Sequence, residues 1–255
     1  MKLAWIAFNT ILHKEIRRFM RIWVQTLVPP VITMTLYFVI FGQLIGSRIG
    51  EMGGFSYMQF IVPGLIMMSS LTNSFANVAS SFYSTKFAKN VEELLISPVS
   101  PHIIILGYVV GGMARGLCIS VLVTLVALCF VDLTIHSWSM LIITLLMTTA
   151  TFALGGLINA VFARSFDDIS IIPTFVLTPL TYLGGVFYSI SLLPEFWQMV
   201  SKFNPIIYMI NGFRYGFLGI SDVAPAYAIM VLSLFILLLY SLAYYLISRG
   251  VGLRS

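Results

Sequence analysis

The sequence predicts an all-α, polytopic membrane protein. Six transmembrane helices follow an N-terminal interfacial helix, with a short helix in one cytoplasmic loop and a re-entrant segment before the last span. Three observations carry this. Of 255 residues, 59% are apolar and only 9% charged. A soluble domain carries ~25% charged residues, so a water-soluble globule and a disordered chain are both excluded. Long charge-poor stretches recur, each above the ~20 residues a bilayer crossing needs. The basic residues sit beside those stretches, so the net charge of +5 reads as topology and not as a nucleic-acid footprint.

Residues 1–21 are not a signal peptide, because Lys14, Arg17, Arg18 and Arg21 fall where a cleavage site should be. Trp5, Phe8, Leu12, Ile16, Phe19 and Trp23 recur at helical spacing, with the basic residues on another face. That describes a helix lying in the membrane interface. The predicted spans are about Ile22–Ile45, Tyr57–Ser81, Ile103–Val131, Trp138–Ala163, Ile169–Leu193 and Ala226–Ile247, and one membrane domain takes the whole chain. Prolines interrupt the first, second and fifth (Pro29, Pro30, Pro63, Pro173, Pro179). Between the fifth and sixth, 194–222 is broken by Pro and Gly, and its apolar runs are too short to cross. An amphipathic piece and a shallow re-entrant segment fit it.

With six spans both termini share one side. That side carries ten Lys and Arg, including Lys86, Lys89, Arg164, Arg249 and Arg254. The other side carries three: Arg48, Lys202 and Arg214. The bias places both termini in the cytoplasm. Cys118 and Cys129, eleven residues apart on one helix, are too distant to form a disulfide.

Several chemistries are excluded. There is no G-x-x-x-x-G-K-[ST] to cradle phosphates and no H-E-x-x-H. His13, His102 and His136 lie apart and outside the spans, so no metal site is expected. The spans hold no acidic residue, which counts against proton-coupled transport.

The loop after the second span carries the most informative pattern. Phe87, Val91, Leu94 and Leu95 recur at helical spacing after Lys86; Glu92 and Glu93 suit a helix start, and Ser97-Pro98 a stop. The segment Glu92-Glu93-Leu94-Leu95-Ile96-Ser97-Pro98 resembles the coupling-helix region of ABC-2 type exporter permeases. The stretch from Pro173 through Gly184-Gly185 to Ser189, then Leu193-Pro194, then Asn204-Pro205 to Arg214, is similar to that family's C-terminal signature. The resemblance implies a bacterial inner-membrane exporter of the split kind. Two permease chains pair, expected here as a homodimer, and separate ATPase subunits hold ATP and Mg²⁺. The helix Lys86–Pro98 then rests on the ATPase, and Leu193–Arg214 folds back as an outer gate.

Ser70, Asn73, Ser74, Asn77 and Ser81 share one face of the second span, and Thr174, Thr178 and Thr181 share one in the fifth. Such residues face a partner helix or a cavity, not lipid. The resemblance places both spans along the central cavity, which implies a lined pathway for an amphipathic, lipid-like or drug-like substrate. Arg115 is expected near the cytoplasmic interface, where it can snorkel. Arg17 and Arg18 are expected to form a charge clasp with Asp167 and Asp168, the alternative being that these acids only cap the next helix. Two other functions stay open, a non-transporting scaffold and a membrane-embedded lipid-modifying enzyme.

Overall fold

The computed structural model describes residues 2–253, so Arg254, counted in the charge asymmetry, lies outside them. The chain is almost wholly helical, with one small antiparallel hairpin, β1 (Glu51–Met52) on β2 (Phe55–Ser56). Helix α1 (Lys2–Arg21) leads through Ile22 into α2 (Trp23–Tyr37), which widens into π-type turns over Phe38–Ile45 and closes as α3 (Gly46–Ile49). After the hairpin come α4 (Tyr57–Phe87), α5 (Asn90–Ile96), α6 (Pro101–Ala127) and α7 (Trp138–Phe162). The chain continues as α8 (Asp168–Ile171), a π stretch Ile172–Leu177 and α9 (Thr178–Tyr182). The last helices are α10 (Glu195–Lys202), α11 (Pro205–Leu218) and α12 (Pro225–Arg249).

Four helical runs among the described residues are long and apolar enough to cross a membrane: Trp23–Ile49, Pro101–Ala127, Trp138–Phe162 and Pro225–Arg249. At 31 residues, α4 is about 46 Å long, but its row of Ser and Asn dilutes its hydropathy. The predicted fifth span to Leu193 is corrected. The helical path covers 168–182, and the chain then turns at 183–189. Pro173 and Pro179 lack N–H groups, so the rod is wound partly as π-helix and stops short.

At the centre stands α4, started by a capping box between Ser56 and Gln59. It packs on α6, α7 and α11. Small residues permit the approach. A Cβ on Gly112 or Gly116 of α6 would collide with Val78 or Ser74 of α4. On the outer side of α6, a Cβ on Gly107 would lie 2.6 Å from Ile11, and one on Gly111 2.5 Å from Glu15 Cβ. This small-residue packing seats α1 against α6. The seated face of α1 is Ile11, Glu15 and Phe19. Of the apolar stripe read from sequence, Phe19 packs inward while Trp5, Ile16 and Trp23 are exposed on the protein surface.

Candidate coupling site

The end of α4 builds the first half of the site. Ala88 and Lys89 reverse the chain, Lys89 in the left-handed region at φ 60°. The short helix then appears where expected, with Glu92 and Glu93 in its first turn and an extended Ser97 before Pro98. Val91 is buried, and Leu94 and Leu95 pack against the core. Ile96 is 85% exposed and Phe87 67%, the latter against Tyr83 and Phe166. The apolar face thus splits, part anchoring α5 and part facing outward. Lys86 has a different role from the one expected of it. Its Nζ donates to Val161 O at 2.6 Å and Ala163 O at 2.8 Å, capping the C-terminus of α7. Burial, then the charge of Arg164, lowers its pKa.

The second half of the site lies beside it and centres on Glu15, which the sequence reading did not single out. Its side chain is fully buried in α1. Ser81 Oγ of α4 donates to Glu15 Oε1 at 2.5 Å. Arg18 Nε lies 3.8 Å from Glu15 Oε2, and Lys14 Nζ lies 3.7 Å from Oε1. Arg18 Nη2 also donates to Asn77 O at 2.8 Å and Asn77 Oδ1 at 3.0 Å. Lys14 Nζ reaches Tyr108 OH of α6 at 3.1 Å. Helices α1 and α4 therefore meet on one buried carboxylate, and α6 joins them through Lys14. A single acid, four residues from both Ile11 and Phe19 on a helix of otherwise basic charge, was the one available signal.

The polar stripe of α4 is corrected by the same geometry. Ser70, Asn73, Ser74, Asn77 and Ser81 are all buried within the protomer. Ser70 Oγ donates to Gly116 O of α6 at 3.0 Å, and Ser74 Oγ to Ser70 O. Asn73 accepts from Arg115, Asn77 from Arg18, and Ser81 binds Glu15. The stripe is an interhelical seam and not the wall of an open cavity, because polar groups in an apolar interior are stabilised by bonding to each other. In the fifth segment Thr181 is buried and bonds back to Leu177 O, while Thr174 and Thr178 are exposed. The three threonines do not share one environment.

Arg115 does not snorkel. Since α6 starts at Pro101, Arg115 sits near mid-helix and turns inward. Its Nη2 donates to Asn73 Oδ1 at 2.9 Å and to Thr26 O at 3.3 Å. The second bond has a covalent cause. Thr26 O would ordinarily accept from the residue four further on, which is Pro30 and has no N–H. Arg115 fills that vacancy and ties α2 to α6 and α4.

The expected clasp does not form. Asp168 Oδ2 accepts from Arg164 N at 2.8 Å and Ser165 N at 3.1 Å, Oδ1 accepts from Ser165 Oγ, and Asp168 N donates to Ser165 Oγ. This reciprocal Ser165–Asp168 box caps the turn into α8 and holds the Asp168 pKa below its ordinary value, the Arg164 N–H contributing most. Neither Arg17 nor Arg18 pairs with Asp167 or Asp168; Arg18 is taken by Glu15 and α4.

At the opposite end Arg214 of α11, counted from sequence among the loop charges, is 1% exposed. Its Nη2 donates to Gly185 O at 2.6 Å, its Nε to Phe60 O at 3.3 Å, and the guanidinium lies 3.8 Å from the Phe60 ring centroid. Asp222 accepts from Ser189 Oγ at 2.5 Å and from Ile190 N at 3.1 Å. Together they fix the turn 183–190 onto α4, where a Cβ on Gly64 would lie 2.9 Å from Val186.

The chain is thus a helical bundle with a buried polar seam, a docked N-terminal helix and a short, partly exposed helix between two long ones. Residues 6–218 match the ABC-2 type transporter family, and the chain belongs to it. It is 65% identical, over the full length of both chains, to the inner membrane transport permease YadH of Escherichia coli strain K12, and equally to that of Shigella flexneri. It is also 24% identical to nodulation protein J of Rhizobium leguminosarum bv. trifolii, over 84% of this chain and 82% of that one. The chain is a permease of ABC-2 type, as its motifs indicated.

Proposed function

We propose that this permease is the membrane half of an ATP-driven exporter whose ATP and Mg²⁺ are held by separate ATPase subunits docked on α5. The carrying observation is the junction beneath α4. Phe87 at the end of α4 and Ile96 at the end of α5 present an outward apolar surface, and on α4, about two turns before Phe87, Ser81 makes the contact to Glu15 of α1. A push on α5 therefore reaches α1 and the buried seam through the tight turn at Ala88–Lys89 and the end of α4. Two copies of the chain form the pathway, in the inner membrane, with both termini cytoplasmic. In this reading α4 and the broken rod 168–182 complete six spans, and α10 with α11 forms the re-entrant segment. The exposed, uncharged face of that rod, Thr174, Phe175 and Thr178, suits an amphipathic or lipid-like substrate.

The test is reconstitution. The permease, co-expressed with an ABC ATPase, should retain it through purification and stimulate ATP hydrolysis in proteoliposomes. Replacing Phe87 and Ile96 with Asp should abolish retention while membrane insertion persists. Undiminished retention removes α5 as the docking element.

A further inference from the structure

Away from the coupling site a cavity of about 340 Å³ opens between α7, the rod 168–182, α11 and α12. Phe75, Phe152, Leu177, Met209 and Leu239 face it. Its few polar groups are already committed: Thr151 Oγ1 donates to Met147 O, and Asn159 Nδ2 to Ile169 O at 3.0 Å. Water has little to bond there. The void has a local cause. A Cβ on Gly156 would strike the backbone of Phe75, whereas one on the adjacent Gly155 would meet only the Phe75 ring at an ordinary 3.6 Å. Gly155 thus leaves space where Gly156 permits contact, and the rod with two prolines does not close over it.

The position of the cavity identifies what fills it. Along α7 it runs from Thr151, at the helix midpoint, to Phe162. That is eleven residues, or about 16 Å, close to half of the ~30 Å hydrocarbon core. The Phe162 end lies at the α5 side, since Lys86 bonds Val161 O and Ala163 O. At the ~30 Å³ that one water-sized group takes up in a liquid, the volume holds roughly ten such groups, a row long enough for part of an alkyl chain. We infer that this cavity is a binding site for one acyl chain of a resident glycerophospholipid, drawn from the leaflet on the α5 side. The chain replaces dispersion contacts that an empty void forgoes and wedges the rod away from α12. The site requires only that the protein crosses a membrane, so loss of transport and loss of lipid binding are separate results.

Full-length permease in phosphatidylethanolamine–phosphatidylglycerol vesicles, doped with a phosphatidylglycerol carrying a diazirine on one acyl chain, tests this by photolabelling and peptide mapping. Labels are expected on Phe152–Phe162 and around Leu177. Gly155→Leu should lower them about fivefold or more, while Gly155→Ala and labelling at the outward Leu237 of α12 stay unchanged. Where Gly155→Leu does not purify as a folded protein, Leu239→Trp, from the opposite wall, is read in the same way. Labelling that no filling variant lowers overturns the site as ordinary surrounding lipid. Labelling that requires ATP hydrolysis by a bound ATPase also overturns it, because the chain would then be cargo.

Discussion

Two arginines hold the two ends of this bundle, one half-buried and one sealed, and they do so by different chemistry. Arg18, at the α5 end, pairs with the carboxylate of Glu15 and with the side chain and backbone of Asn77. Arg214, at the far end, meets backbone carbonyls and an aromatic face. The Arg18 side chain is 27% exposed and lines a cleft of about 580 Å³ with Asn90 and Glu93 of α5, whereas Arg214 is sealed. The Arg18 guanidinium reaches water although the Glu15 carboxylate does not, so this cation can trade contacts for hydration. A sealed guanidinium cannot, so the far end is a fixed clamp on the turn 183–190.

The largest expected effect breaks that clamp. Arg214→Ala strands two buried carbonyls and leaves a void, and should cost about 3–5 kcal/mol, read as loss of folded permease in detergent thermal melts. A melt within a degree of the parent would show that the turn needs no clamp. Next comes Glu15→Gln, expected to cost about 2 kcal/mol through the lost charge beside Arg18. Adding Arg18→Met should return part of that loss, because the stranded cation is then gone. Strict additivity would mean that the two residues act independently and that the α5 end is no ion-pair junction. Lys86→Met should cost about 1–2 kcal/mol by orphaning the carbonyls that end α7; hydrogen exchange at residues 158–163 should rise first, and unchanged exchange would sink the cap.

The smallest effect is in acid. The Asp168 pKa is held below its ordinary value of 3.8. A depressed carboxylate contributes stability above its unfolded pKa and loses it as pH falls through the folded value. Below about pH 4 the melting temperature of the parent should therefore fall more steeply than that of Asp168→Asn. Parallel curves would remove the capping role. A cycle of Asp168→Asn with Arg18→Gln should be additive, in keeping with the absence of a clasp.

Much of the fold was legible because it is written in local periodicity. The N-terminal helix, α5 between its acidic start and Ser97-Pro98, and the four apolar runs all follow from composition and spacing along contiguous residues. The breaking of the fifth segment was half legible. Pro173 and Pro179 announced a disturbance, but not that the helix would stop at Tyr182. The candidate site was legible only in part. The hydroxyl and amide row on α4 was visible, yet its partners were not, since a stripe meant for a cavity and one meant for a seam look alike until the neighbouring helix is placed.

What the sequence by itself determined is the solvent of each segment. Hydropathy, charge and capping residues act on the chain within a turn or two, and they set which residues form helices and which meet lipid. Tertiary structure alone decided the pairings. Glu15 reaches Ser81 across 66 residues and Arg214 reaches Phe60 across 154. Arg115 found its acceptor because a proline on another helix left a carbonyl bare. In a low-dielectric interior each buried polar group must find a partner, but which partner depends on where the helices come to rest, and that is a property of packing and not of local spacing.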